Sequence, residues 1–285
     1  FTAITPPSSL TPWHLIHMIG TTDGLQSLSL LNVSITSSLD TNEAALITMT
    51  CNNTATQQLW VIDTVISQVH GGVFDLTGTD SNQSVSFRNT TMKQLNMLDK
   101  VALELVTSGT QSVEWLDSTW EECQATSSGG ILSANSATVL NVTQCQFKQN
   151  IALSGSLFAI QSNTAGCDTT FQSNSFFQNQ AKDAVIKLDD YVRSRFANHT
   201  VEEDSPLHLW VTDSTSTVNL AEVYAAYSSS IPLLAKWDVS DVSNISLDQL
   251  ELILLNATST ITLLSYPAKP QPWNSIVVNL EHVNT

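Results

Sequence analysis

Apolar and polar positions alternate along most of this chain in short runs, and the runs return at a long, regular interval. Leu28/Leu30, Leu59/Val61, Val85/Phe87 and Val113/Trp115 are such runs, each closed by an Asx residue: Asn32, Asp63, Asn89 and Asp117. The same pattern reads at Leu209/Val211/Asp213 and Trp237/Val239/Asp241. Alternation with period two predicts strands, and the Asx residue predicts a bend where each one ends. Between Val113 and Leu188 a second phrase occurs three times, as W120EECQATSSGGIL, F147KQNIALSGSLF and F176FQNQAKDAVIK. The repeat is about 28 residues, a solenoid period, whereas hairpins would need a turn about every ten residues. The expected fold is all-β: a single right-handed parallel β-helix of about eight coils, roughly 40 Å long at about 4.8 Å per coil.

Stacked coils place like residues over like ones, so each column has a role. Trp120, Phe147 and Phe176 are predicted to form one interior aromatic column, and Asn150 and Asn179 to satisfy backbone groups at a corner, where Cys123 stands in the first copy. A small-pair column is read through Ala44-Ala45, Gly71-Gly72, Val101-Ala102, Gly129-Gly130, Gly155-Ser156, Ala184-Val185 and Ala225-Ala226. Small residues belong where the backbone bends sharply.

The pattern divides the single domain, 1–285, into four stretches. Residues 1–25 form an N-terminal extension or cap, 26–188 the regular coils, 189–208 an irregular insertion after Leu188, and 209–285 the C-terminal coils. In the first stretch Pro6-Pro7 breaks regular structure, and Thr11-Pro12-Trp13 reads as the start of a short apolar helix from His14 to Ile19. His14 and His17 would share a face of it, yet no third metal ligand accompanies them, and packing is the preferred reading.

The phrase F-x-x-N-x-A, followed by a small pair and an aliphatic, resembles the repeat of polymorphic outer membrane proteins and related right-handed β-helix surface proteins. Phe147 to Asn150 and Phe176 to Asn179 carry it as it stands. The resemblance implies a parallel β-helix exposed at a cell surface, often adhesive.

Composition adds to this picture by exclusion. The formal net charge is -16, and charged residues make up only 13% of the chain. With Lys and Arg scarce and unclustered, nucleic acid is excluded as a partner, and no apolar run reaches the roughly 20 residues a membrane helix needs. No cofactor or metal is implied. An even count of cysteines in a chain that reads as extracellular makes Cys51, Cys123, Cys145 and Cys167 disulfide candidates. The last three fall at an interval shorter than a coil, so they walk around the helix. N-glycosylation sequons begin at Asn32, Asn52, Asn82, Asn89, Asn141, Asn198, Asn244 and Asn256. In a eukaryotic source Asn52, Asn82 and Asn198 are preferred as loop positions, ahead of Asn141, Asn256, Asn32 and Asn89. Asn244 is disfavoured because it falls in the inward aromatic column.

Three functional classes fit. The first is an extracellular structural or adhesive β-helix protein, a subunit of a surface filament built head to tail, with copies of itself, other extracellular surface proteins and glycans as partners. The second is a carbohydrate-active β-helix enzyme, a polysaccharide lyase or glycoside hydrolase, for which the Asp189-Asp190 pair beside Arg193 and Arg195 offers carboxylates and a uronate-binding charge. The third is a non-catalytic carbohydrate-binding spike. Neither N-T-D nor G-H-G, signatures of pectin-degrading β-helices, occurs, and no residue is assigned a catalytic role. A carboxylate cluster on one lateral face would favour the enzyme. The acidic run Glu202-Glu203-Asp204 lacks the spaced oxygen ligands of a calcium loop. The assembly candidates are Phe1 and Ile4 in an apolar opening segment and Ile276, Val278 and Leu280 in a closing strand. A neighbour's segment would complete the final coil. The other expectation is that the chain is a piece of a longer one whose next coil is missing.

Overall fold

Each alternating run finds its backbone partners one repeat away, in parallel and in register. The structure, a computed structural model, describes residues 15–20, 24–36, 45–51, 54–97, 100–126, 129–161, 167–189, 192–202, 207–212 and 217–227, and short strands at Leu233–Trp237, Ile245–Leu247, Leu250–Leu254, Leu264–Ser265 and Val277–Asn279. One coil runs through Phe74–Gly78 on a first face, Asn82–Arg88 on a second and Thr91–Lys93 on a third, then returns to the first face at Leu103–Val106. Every paired strand is parallel to its partner, as in Leu103 over Phe74 and Trp115 over Phe87. The fold is a parallel β-solenoid. About eight coils were expected, and ten strands stack in the first-face sheet.

The interior is a set of apolar columns. Ile47, Phe74, Leu103, Leu132, Phe158, Ile186 and Leu209 follow one another on the first face, all at most 2% exposed. Trp120, Phe147 and Phe176 stack directly on the third face and are fully buried, as the repeat predicts. Phe147 and Phe176 lie ring on ring at 4.7 Å and 23°, and Phe171 and Phe196 at 5.0 Å and 6°. Such pairs add roughly 0.5–1.5 kcal/mol beyond the area they bury.

The bends are made by left-handed residues. Asn32, Asp63, Asn89 and Asp117, the predicted Asx closures, have φ of 48–51°, and Gln144, Ser173 and Asn198 continue the same corner. A second corner repeats the device with Gln68, Gln94, Glu122, Gln149 and Gln178 at φ of 53–55°. Small pairs close the coils at Gly71-Gly72, Gly129-Gly130 and Gly155-Ser156, where Gly71, Gly129 and Gly155 have positive φ; Ala44 lies outside the described residues. At Gly130 a Cβ would come within 2.9 Å of the Ala125 Cβ, so a larger side chain there would push the coil apart.

Several expectations change. The helix read from His14 to Ile19 is a strand, Ile16–Gly20, paired with Ile47–Cys51, and Ile16 and Met18 pack against the core. As a strand it satisfies its backbone on the next coil, which a helix there would not do; His14 lies outside the described residues. The expected insertion after Leu188 contains a strand of the coil, Val192–Glu202, paired with both Cys167–Gln172 and Ser175–Phe177. Its charges occupy the outward positions: Arg193 and Arg195 are exposed, whereas Val192, Ser194 and Phe196 alternate inward. With that coil counted, Leu209 and Trp237 belong to the first face, not to the Asx-closed run, and Ala225 continues the column of Phe176 and Val201 in place of a small pair. Asn244 lies outside the described residues.

Candidate functional site

The outer faces are where this fold can meet a partner, and the two left-handed corners build their most regular feature. A residue at φ near 50° turns its side chain outward, above the matching side chain of the next coil. Asn89 Nδ2 donates to Asp63 Oδ1 at 2.7 Å, and Asn198 Nδ2 to Ser173 Oγ at 3.2 Å. Along the second corner Gln94 Nε2 donates to Glu122 Oε2 at 2.8 Å and Gln149 Nε2 to Gln178 Oε1 at 3.2 Å. Exposed charges also pair between coils: Arg88 with Glu114 at 2.7 Å, Lys93 with Glu121 at 3.1 Å. The Arg88 guanidinium, donating to Glu114, holds that carboxyl below its usual range.

The predicted sequon positions distribute over these features. Asn32, Asn89 and Asn198 stand on the first corner, Asn82 opens a second-face strand, and Asn141 points outward from the middle of another; all five are exposed. Asn82 and Asn198, expected in loops, are therefore a strand start and a corner. Asn52 and Asn256 lie outside the described residues, as do the assembly candidates Phe1, Ile4, Ile276 and Leu280. Val278 sits in Val277–Asn279, which pairs with Leu250–Leu254.

The carboxylate and arginine set after Leu188 does not converge. Arg193 forms a two-pronged contact with Asp168 at 2.7 and 3.1 Å, and Asp189 pairs with Lys187 on its own strand at 2.9 Å. Asp190 lies outside the described residues. A different pair of carboxylates shares a face: Glu104 and Asp75 are register partners on adjacent first-face strands, and Thr77 Oγ1 donates to Asp75 Oδ1 at 2.6 Å. Burial first, and Asp75 second, raise the Glu104 carboxyl above its usual range, with Lys100 opposing. Among the described residues no group of three His, Cys, Asp or Glu side chains gathers to hold a metal.

None of the four cysteines is joined in a disulfide and all are buried, so the expected disulfides are corrected. They occupy different positions around the coil, as their spacing requires, and each serves its own column. Cys123 and Cys145 fill successive corner positions, where the Cys145 thiol donates to Thr143 O at 3.2 Å and the Cys123 thiol to Glu121 O at 3.4 Å. Burial pushes the Cys123, Cys145 and Cys167 thiols up to about 12.

Two buried polar constellations have no counterpart in the sequence reading. Gln26, Gln57, Gln83 and Gln111 form a glutamine ladder between the first and second faces, with Gln83 Nε2 donating to Gln57 Oε1 at 2.9 Å and to Leu76 O at 2.7 Å. Their spacing of about one coil was the available signal. His199 and His208 meet in the core with Nε2 atoms 3.2 Å apart.

The chain matches no protein-family model, no curated protein and no solved structure.

Proposed function

We propose that this chain is an extracellular structural or adhesive β-helix protein, a subunit of a surface filament in which copies stack head to tail. The observation that carries the reading is the outer surface itself: its Asn, Gln, Ser, Asp and Glu side chains are engaged coil to coil along two straight corners. Such a surface suits repetitive, multivalent contact, with glycans or other extracellular surface proteins as partners, better than it suits turnover of one bound substrate. The likeness of Phe147 to Asn150 and Phe176 to Asn179 to the polymorphic outer membrane protein repeat supports a surface setting. Large apolar side chains exposed among the described residues include Ile19, Leu25 and Leu31, all on the first described coil. They form an apolar collar for a neighbouring copy. Sedimentation of the full chain over a range of concentrations tests the assembly: species growing with concentration are expected, and a monomer at every concentration contradicts it.

One observation favours a second reading, a carbohydrate-active site. Glu104 and Asp75 place two carboxylates side by side on one lateral face, and the raised Glu104 carboxyl would suit a general acid beside a second carboxylate. Release of reducing ends from a panel of polysaccharides, abolished by Glu104→Gln, supports this reading; no release from any of them removes it.

A further inference from the structure

The second face turns an aromatic side chain outward near the start of the solenoid. In Thr56–Ile62 the side chains of Gln57, Leu59 and Val61 are buried, and Gln58, Trp60 and Ile62 alternate to the outside. Strand register sets Ser29 beside Trp60 on the preceding coil and Ser86 beside it on the following one. Ser27, Gln58 and Ser84 make a parallel outward row, again one residue per coil at about 4.8 Å. Leu25–Leu31, Thr56–Ile62 and Asn82–Arg88 pair residue for residue, so no bulge interrupts this part of the face. Trp60 is half-buried, which leaves part of its indole open to solvent, and Ile62 with the exposed Leu31 extends the apolar side.

The polar groups around the indole differ from those on the neighbouring corner. At the corner the side chains engage each other, as Asn89 does Asp63. Among the described residues, the side chains of Ser27, Ser29, Gln58, Trp60 and Ser84 make no hydrogen bond or ion pair within the chain. Their hydroxyl, amide and indole N-H groups are thus available to a ligand as both donors and acceptors. The nearest charges on the face neutralise one another, since Arg88 pairs with Glu114 at 2.7 Å.

We propose that this strip binds a neutral polysaccharide, with one pyranose ring laid on Trp60 and the hydroxyls of that ring and its neighbours bonded to Ser27, Ser29, Gln58 and Ser84. The proposal deepens the glycan-partner reading above and rests on it. A pyranose presents C-H groups on its face and hydroxyls around its rim, which is the pattern of this strip: an apolar platform edged by small uncharged polar groups. An extended chain running along the stack meets a fresh pair of side chains on each coil. Charge selects a neutral polymer over an acidic one, because the strip offers no unpaired cation and the chain carries a formal net charge of -16.

Depletion of the full chain from solution by insoluble cellulose, chitin, curdlan and mannan, with polygalacturonate beads as the acidic probe, tests the strip. At least one neutral polymer is expected to remove the wild type, and polygalacturonate to leave it in solution. Trp60→Ala should weaken the binding by at least about tenfold, with its urea midpoint close to that of the wild type. No binding to any of the five polymers removes the glycan reading together with the strip. Binding that Trp60→Ala leaves unchanged, or equal binding to polygalacturonate, overturns the strip alone. Sedimentation examines the other occupant, a second copy: loss of concentration-dependent growth in Trp60→Ala marks this face as a contact between copies and overturns the proposal. A further measurement needs no variant. In hydroxyl-radical footprinting with a soluble oligosaccharide of the polymer that binds, Trp60 should be protected while Trp210, on the first face, reacts as before; an unprotected Trp60 overturns the assignment.

Discussion

Asn150 lies directly over Asn179 at the second corner, and its Nδ2 donates to Asn179 Oδ1 at 2.9 Å and to Trp120 O at 3.0 Å. Asn179 repeats the device one coil later, donating to Phe147 O at 2.8 Å and accepting from the Asn150 backbone N-H at 3.1 Å. The pair satisfies buried backbone groups that a left-handed bend leaves without ladder partners. Asn179→Ala orphans the Phe147 carbonyl and two Asn150 donors, and each buried orphan costs about 1–3 kcal/mol. A loss of at least about 3 kcal/mol is expected by urea denaturation, against under about 0.5 kcal/mol for the exposed Gln149→Ala.

The aromatic column gives a second expectation. Phe147 touches Phe176, Phe158 and Trp115 at ring distances of 4.7, 5.1 and 6.1 Å. Phe147→Ala should cost about 3–5 kcal/mol, because stacked neighbours above and below keep the cavity from collapsing. Phe147→Leu should cost clearly less, and the same denaturation series reads both.

The thiols predict both reactivity and alkaline behaviour. With Cys123, Cys145 and Cys167 pushed up to about 12, alkylation of the folded chain at pH 8 should be negligible at these three sites and fast after denaturation, as counted by mass spectrometry. The folded values lie above the ordinary 9.0, so the thiols' contribution is intact below about pH 9. It should fall by about 1.4 kcal/mol per thiol and pH unit as pH rises from 9 toward 12.

Left-handed positions test the corners. Gln144 holds φ 56°, where an L side chain costs about 1–2 kcal/mol that glycine does not. Gln144→Gly should raise the melting temperature, and Gly129→Ala, at φ 74° and with Leu132 O only 2.9 Å from the new Cβ, should lower it. Calorimetry of the two variants reads opposite signs.

The parts of the fold that were legible in sequence were those repeated by residue type: the aromatic column, the Asx corners at Asn32, Asp63, Asn89 and Asp117 and the bend glycines sit where their spacing placed them, whereas the runs at Leu209 and Trp237 do not. What was not legible depended on partners. The side chains of Gln26, Gln57, Gln83 and Gln111 look like surface in sequence, and they are buried only because each amide is taken by the next coil or by a backbone carbonyl. The coil at Val192–Glu202 was hidden by Arg193 and Arg195, whose outward alternation becomes visible only once Phe196 is set over Phe171. The Glu104 and Asp75 pair, separated by a whole coil in sequence, is adjacent only through strand register.

Assembly makes a prediction at the first coil. Leu25 and Leu31 point outward and are 63% and 58% exposed. On the proposed head-to-tail assembly, Leu25→Glu with Leu31→Glu should leave the denaturation midpoint nearly unchanged and abolish the concentration-dependent growth expected in sedimentation.

Electron microscopy of the full chain at high concentration shows directly whether copies stack head to tail. Ten stacked strands at about 4.8 Å give a subunit about 45 Å long. The account predicts unbranched fibres with an axial repeat near that length, and dispersed monomers under every condition would contradict it.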